Sequence, residues 1–425
     1  VKISNISGRE ILDSNGIPTV ECVLVLDGGQ SVKASVPSGA STGKYEAIEL
    51  RDGDKDRFLG KGVLTAIQNL EQKIAPALIG KKPDLVEMDK LIIDIDGTEN
   101  KSNLGANATL AASIAVARAQ AIDLNTQTYE LINKIFQIGP TSFPQCMFNV
   151  LNGGVHADNG VAFQEFMIMP QKQGSMQNTM HTAACIYQTL KNILKKDGYG
   201  IGVGFEGGFA PIIKGSKNKE NIMLDYLHKA VEQSGFCSNE IAFCLDVAAS
   251  QFYDAEKSIY LIEGQELSST QMVDLYQNLV ENYPIVSIED GMAEDDWYGW
   301  QLLTEKLGNK VQIVGDDLFV TNINRIEKGI KLGVANAVLI KPNQIGTVSQ
   351  TVEAIKLCRS NGYKTVVSHR SGETCDTFIS DLVFGSAAGQ FKAGAPCRGE
   401  RVAKYNRLVE IEEGLVPGLP PSPRL

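Results

Sequence analysis

The sequence contains no apolar run long enough to cross a bilayer, and its first residues, Val1-Lys2-Ile3-Ser4-Asn5, carry no apolar leader. A helical membrane span is thereby excluded, and a cytoplasmic location is expected. Positive charge is also scarce. A formal net charge of −10 argues against nucleic acid or an anionic membrane surface as the main partner. Cysteines at metal-binding spacing are missing: of the eight, the closest two, Cys237 and Cys244, stand seven apart. They read as reduced, mostly buried thiols. Low-complexity composition is absent, since a 43% apolar share belongs to a folded chain. Its 425 residues suffice for one barrel and a smaller domain.

Nucleotide loops are lacking as well. The phosphate-cradling loop needs four residues between its glycines and a hydroxyl residue after its lysine. In Pro37-Ser38-Gly39-Ala40-Ser41-Thr42-Gly43-Lys44-Tyr45, three residues separate Gly39 from Gly43, and Tyr45 follows the lysine. The stretch reads instead as a mobile loop whose hydroxyls can ligate a hard cation or hold a phosphate. Gly202 to Gly207 matches GxGxxG, but Gly208-Phe209-Ala210-Pro211 does not open the helix that dinucleotide binding requires. It reads as a Gly-rich strand end presenting Glu206.

What the chain does have is a series of short apolar runs that each stop at an ionisable residue. Ile241 to Leu245 ends in Asp246, Tyr283 to Ile288 in Glu289-Asp290, and Val311 to Gly315 in Asp316-Asp317. Ala337 to Ile340 ends in Lys341, and Lys364 to Ser368 in His369. Runs this short and this rich in Val and Ile are strands buried on both faces. The intervals are 316 − 289 = 27, 341 − 316 = 25, 369 − 341 = 28 and, on to Lys392, 392 − 369 = 23 residues. Each accommodates a strand, a loop and a helix, and Ile323, Ile326 and Ile330 supply helical spacing between two of them. Parallel strands with helical crossovers follow. Closed into a barrel, their C-terminal ends share one mouth. The alternative is an open doubly wound sheet with unrelated strand-end charges.

Before these repeats the texture differs. Lys2 to Ile6, Thr19 to Leu26 and Ser31 to Val36 read as strands, with Asp27-Gly28-Gly29 as a hairpin turn. Ile67, Leu70 and Ile74 share a helix face that Pro76 is expected to end, and the Ala-rich 106–122 stretch reads as a sandwiched helix. Strands followed by helices make an α+β domain over 1–137, and the barrel domain covers 138–425. The proline-rich 417–423 stretch is expected to be an extended tail.

If the mouth closes, Asp246, Glu289 and Asp316 form a hard oxygen set suited to Mg²⁺, which would relieve their mutual repulsion. Lys341 beside such charge would have a lowered pKa and act as a base. Glu165, on a strand from Phe163 to Met169, and Glu206 would be held protonated by burial as acids. His369, Arg370, Ser371 and Lys392 offer donors to a phosphate or carboxylate.

These residues resemble the enolase family. The resemblance is carried by Pro37 to Gly43, His156, Gln164-Glu165-Phe166-Met167, Glu206-Gly207-Gly208, Ser287-Ile288-Glu289-Asp290 and Gly315-Asp316-Asp317-Leu318. Asn343-Gln344-Ile345-Gly346, Ser368 to Thr374 and Ala403-Lys404-Tyr405-Asn406 extend it. It implies an α/β barrel of TIM type with an irregular ββαα(βα)6 start, where the repeats alone suggest an all-parallel one. It implies reversible dehydration of 2-phosphoglycerate to phosphoenolpyruvate, a glycolytic step. Two Mg²⁺ are implied per site, one held by Asp246, Glu289 and Asp316, the second arriving with substrate and held in part by Ser41. Lys341 would be the base and Glu206, with Glu165, would assist departure of the hydroxyl. Lys392 would bind the substrate carboxylate, Arg370 and Ser371 the phosphate, and His156 and His369 would close the pocket.

The chain departs from the family pattern at several points. Phe205 stands where an acid usually precedes Glu206, Pro342 follows the base and is expected to remove a ladder donor, and Asn15 replaces an arginine. Glu410 replaces an arginine that would face Glu21 across a homodimer, so a weakened or rearranged dimer is expected. These departures motivate a second reading, a catalytically weakened relative kept for binding or structure. A dehydratase of sugar acids is the third, disfavoured by the phosphate-binding candidates.

Overall fold

The computed structural model describes residues 1–39, 43–171, 174–215 and 217–415. Ser41 and the tail expected over 417–423 lie outside the described residues.

The N-terminal part begins with an antiparallel sheet of β1 (Ile3–Leu12), β2 (Pro18–Leu26) and β3 (Ser31–Ser35). Along β2 the burial alternates, as a sheet with one covered face requires. Helices α1 (Leu64–Asn69), α2 (Ala75–Leu78), α3 (Leu85–Asp96), α4 (Ala106–Asp123) and α5 (Thr128–Phe136) follow. Pro76 does not end a helix as expected. A wide π-turn over Leu70–Ile74 shifts the hydrogen-bond register, and the proline enters at the first positions of α2, where a missing N–H costs little. Helix α4 packs against β2, β3, α3 and α5. Alanines let all these neighbours approach, and almost every residue from Ala106 to Ala121 is buried.

The barrel is closed, and its strands are β4 (Gln145–Asn152), β5 (Glu165–Pro170), β6 (Ile241–Asp246), β10 (Ile285–Glu289), β11 (Gln312–Gly315), β12 (Ala337–Ile340), β13 (Lys364–Ser368) and β14 (Gly389–Lys392). A small sheet of β7 (Tyr253–Asp254), β8 (Ile259–Ile262) and β9 (Gln265–Leu267) lies outside it. The barrel is not all-parallel. β5 pairs antiparallel with both β4 and β6, and the other neighbours are parallel. Two helices, α6 (Met176–Lys196) and α7 (Lys219–Gln233), follow β5. One helix then separates each pair of later strands: α8 (Ser269–Asn282), α9 (Trp297–Leu307), α10 (Ile323–Leu332), α11 (Val348–Ser360) and α12 (Phe378–Gly385), with α13 (Gly399–Gly414) last. Met147, Met167, Met169, Cys244, Val314, Leu339 and Val366 pack together inside the barrel. Its interior is therefore a filled core, and polar side chains are left to the rim.

The two parts are sewn together by hydrogen bonds. Ser38 and Gly372 exchange backbone bonds of 2.8 and 2.9 Å. Arg118 grips Asp376 with both nitrogens at 2.7 and 2.8 Å. The first turn of α11 is capped from the other side: Val348 N–H donates to Ser113 Oγ (2.9 Å) and Ser349 N–H to Asp89 Oδ2 (2.8 Å). Of the eight thiols, all free, Cys22, Cys146, Cys244 and Cys358 are buried, whereas Cys237 and Cys375 are exposed.

Candidate active site

Strand register assembles the mouth. Glu165 pairs with Asp246, and Asp246 with Glu289, so three carboxylates stand in a row across β5, β6 and β10. Glu165 joins the row only because β5 runs backwards: its first residue meets the last residues of β6 and β10. Lys392, the last residue of β14, reaches all three. Its Nζ lies 2.8 Å from Glu289 Oε1, 3.1 Å from Glu165 Oε2 and 3.2 Å from Asp246 Oδ2. Lys341 and Asp316, just past β12 and β11, form a second pair at 2.5 Å. Gln344 Nε2 donates to the other Asp316 oxygen at 3.0 Å.

Glu206 comes from a tight turn between Val203 and Phe209, whose backbones bridge, rather than from a strand end. Asn149 Nδ2 donates to its Oε2 at 3.0 Å. His369 Nε2 lies 3.3 Å from the same oxygen. His156 Nδ1 stands 3.7 Å from Glu206 Oε1 and 3.8 Å from Glu165 Oε1. All these side chains are buried. Arg370 donates from Nη1 to Glu46 Oε2 (2.9 Å) and Asn343 Oδ1 (3.1 Å). Ser371 lines the same cavity. The cavity holds about 20 Å³, room for roughly one water, so its side chains must part to admit a larger molecule.

Burial in this acid-rich space separates the protonation states. Burial, then Glu206, pushes Glu165 well above the carboxylate range, and burial, then Asp246, does the same to Glu289. Asp317 rises to about 8 through burial and Asp316. Glu206 was expected to hold a proton, but it is driven well below the usual range. Burial opposes this, and His369, His156 and Lys392 outweigh it. The two glutamates are thus pushed in opposite directions, Glu165 up and Glu206 down. The lowered pKa expected of Lys341 supposes a cation beside it; with Asp316 alone in contact, burial would lower the pKa but Asp316 raises it above the ordinary value.

Six buried carboxylates, Glu165, Glu206, Asp246, Glu289, Asp290 and Asp316, together with the half-buried Asp317, surround the ammonium groups of Lys341 and Lys392. Excess negative charge on hard oxygen donors fits divalent cations such as Mg²⁺. Among the described residues, Asp290, Asp316 and Asp317 have ligand atoms within 4.8 Å of one another, as do His156, Glu165 and Glu206. The Asp290 oxygens already accept the backbone N–H groups of Asp316 (2.8 Å) and Asp317 (2.9 Å), which makes Asp290 a brace for the β11 end. Asp246 and Glu289, the other two ligands expected beside Asp316, belong to neither group and instead share the Lys392 ammonium.

Several contributors escaped the sequence reading. Asp290 and Asp317 were visible as second members of acidic doublets, but nothing in the spacing gave them a role. Glu46, the counter-ion of Arg370, and Arg401, which touches His369, had no local signal. Pro342 lies beyond β12 and opens a 3-10 turn, so it removes no ladder bond. Phe205 stands 39% exposed on the rim, its ring 6.1 Å from that of His156.

A family model described as the enolase C-terminal TIM barrel domain matches residues 140–418, and one described as the enolase N-terminal domain matches residues 3–132.

Proposed function

This chain belongs to the enolase family, and on that premise we propose that it is a Mg²⁺-dependent lyase that reversibly dehydrates 2-phosphoglycerate to phosphoenolpyruvate. The observation that carries the reading is the convergence of two lysines, the Glu165–Glu206 pair and a surplus of carboxylates on one mouth. Asp246, Glu289 and Asp316 would hold one Mg²⁺, and a second would come with substrate, with Ser41 among its ligands. Bound there, the cations would neutralise the substrate carboxylate and so acidify the carbon beside it.

The chain's own groups then divide the work. Arg370 and Ser371 hold the phosphate, with Arg370 released from Glu46. Lys392 holds the carboxylate end. Lys341 Nζ takes the proton from C2 once Asp316 no longer serves as its counter-ion. Glu165, neutral, and Glu206, anionic, face the departing 3-hydroxyl together with His156, and Glu165 is the member able to give a proton. His369 closes the wall behind Glu206. We divide the chain into an α+β domain over 1–137 and a catalytic barrel over 138–425, and place its activity in cytoplasmic glycolysis. No helix of the described residues is long and apolar enough to cross a membrane.

Phosphoenolpyruvate formation from 2-phosphoglycerate, followed with and without Mg²⁺, tests the proposal. Lys341→Met should reduce kcat by about 10²–10⁴-fold, the range for a general base. The exposed Phe205 favours the second reading, a weakened relative with a binding role, and absence of Mg²⁺-dependent turnover in the wild type would decide for it.

A further inference from the structure

Arg401, in the first turn of α13, is fully buried, and its guanidinium joins separate pieces of the site. Nη1 donates to His369 Nδ1 and to the Arg370 carbonyl, each at 2.5 Å. Nη2 donates to the Ser371 carbonyl at 2.7 Å and to the Phe205 carbonyl at 3.0 Å. Nε faces Glu400 Oε1 at 3.3 Å. The chain is shaped for this approach at Gly394. A Cβ there would sit 2.8 Å from the Glu206 carbonyl oxygen and 2.9 Å from Arg401 Cδ, so only glycine lets the two segments close around the arginine.

A guanidinium offers donors only and does not lose its proton in proteins. The His369 nitrogen it contacts must therefore be the acceptor, with no hydrogen of its own. Burial, with Arg401 adding to it against Glu206, pushes the His369 pKa down to about 3, so the ring is neutral. Its one proton then sits on Nε2, the nitrogen 3.3 Å from Glu206 Oε2. The same arginine holds the carbonyl of Phe205, the residue immediately before Glu206.

We propose that Arg401 is a positioning residue that locks His369 in its Nε2–H tautomer and, through that ring and the Phe205 carbonyl, fixes the Glu206 carboxylate at the mouth. The role of Glu206 rests on the dehydration reading above, whereas the tautomer does not. A side chain that merely filled space would leave the ring free to carry its proton on either nitrogen.

Nitrogen NMR of the intact protein labelled at its four histidines, with His369→Gln to assign the ring, reads the tautomer directly. A neutral ring with Nε2 protonated and Nδ1 bare is expected. A ring protonated on Nδ1, or on both nitrogens, overturns the proposal whatever the reaction proves to be. In Arg401→Lys a single ammonium cannot serve both the ring and the Phe205 carbonyl. The fixed tautomer should be lost, and kcat for 2-phosphoglycerate should fall about 10²-fold with KM changed by less than about threefold, as for a misplaced catalytic group. Unchanged ring signals and unchanged kcat in that variant also overturn it. If Arg401→Lys does not fold, the wild-type spectrum alone decides. A wild type with the expected tautomer but no turnover would sink the dehydration reading and leave the locking intact.

Discussion

Asp89 sits on α3 with no exposed surface, and one of its oxygens accepts the Ser349 N–H while the other accepts no hydrogen bond. Burial raises its pKa from 3.8 to about 6, against the hydroxyls of Ser113 and Ser349 and the Ser349 N–H, which lower it. Because the folded value exceeds the unfolded one, the fold prefers the protonated form. Stability from this group is fully present below about pH 3.8 and is lost as pH rises through about 6. A displacement of about two units at ~1.36 kcal/mol each makes ionised Asp89 cost roughly 3 kcal/mol at neutral pH. Asp89→Asn keeps an acceptor for Ser349 and removes that cost. It also removes a negative charge from the N-terminus of α11, worth ~0.3–1 kcal/mol. A net gain of about 2 kcal/mol is therefore expected at about pH 7.5, shrinking to near zero at about pH 3.5. Urea denaturation of both proteins across this range measures the difference. Parallel stability profiles for the two, or a variant less stable at neutral pH, would show that the carboxylate is not strained by burial between the two parts of the chain.

The remaining expectations concern the site and its surface. Phe205→Asp should raise turnover by up to about tenfold, since another carboxylate raises the proton affinity of the Glu165–Glu206 pair facing the departing hydroxyl; equal or lower kcat would deprive Phe205 of a functional role. Mg²⁺ at a hundred times its Kd should stabilise the protein by about 2.7 kcal/mol in thermal or urea unfolding. Asp246→Asn should abolish most of this, and an undiminished effect would place the ion elsewhere. Glu21 pairs with Arg9 at 3.2 Å and Glu410 with Arg407 at 3.1 Å, so both acids have partners within the chain and neither needs one across an interface. Glu410→Arg should tighten self-association by roughly two- to thirtyfold in sedimentation across dilutions, if two symmetric surface pairs form.

The parallel strands were legible because burial on both faces demands an unbroken apolar run, and the ionisable residue after each run marks where the core stops. Direction was not legible. An apolar run such as Phe166 to Met169 reads the same up or down the barrel, so the reversal of β5 was invisible to spacing and came only from the family resemblance. The carboxylates could be named from the sequence, but their charge states could not. These depend on which neighbour lies at 3 Å, as the opposite shifts of Glu165 and Glu206 demonstrate. The same holds for Lys341, whose counter-ion Asp316 is 25 residues away in sequence and in contact in space. Arg401 is 32 residues from the histidine it holds, and nothing in the α13 pattern sets it apart from a solvated helix charge.

The backward strand also changes the order of the chain's traverses. In a regular repeat each strand climbs toward the mouth and a single helix descends, so only the connections after strands reach the top. Here β5 descends, and two helices rather than one must follow before β6 can climb again. The number of connections at the top is unchanged, but the two in this stretch now join like elements: the 153–164 turn between β4 and β5, and the link between α6 and α7. His156 rides on the first and Glu206 on the second, while Glu165 starts the descending strand. The acid half of the site is thus a by-product of one inverted traverse, and the lysine half belongs to the regular winding. Changes to the length of either of these connections should therefore act on the acid half and leave the lysine half in place.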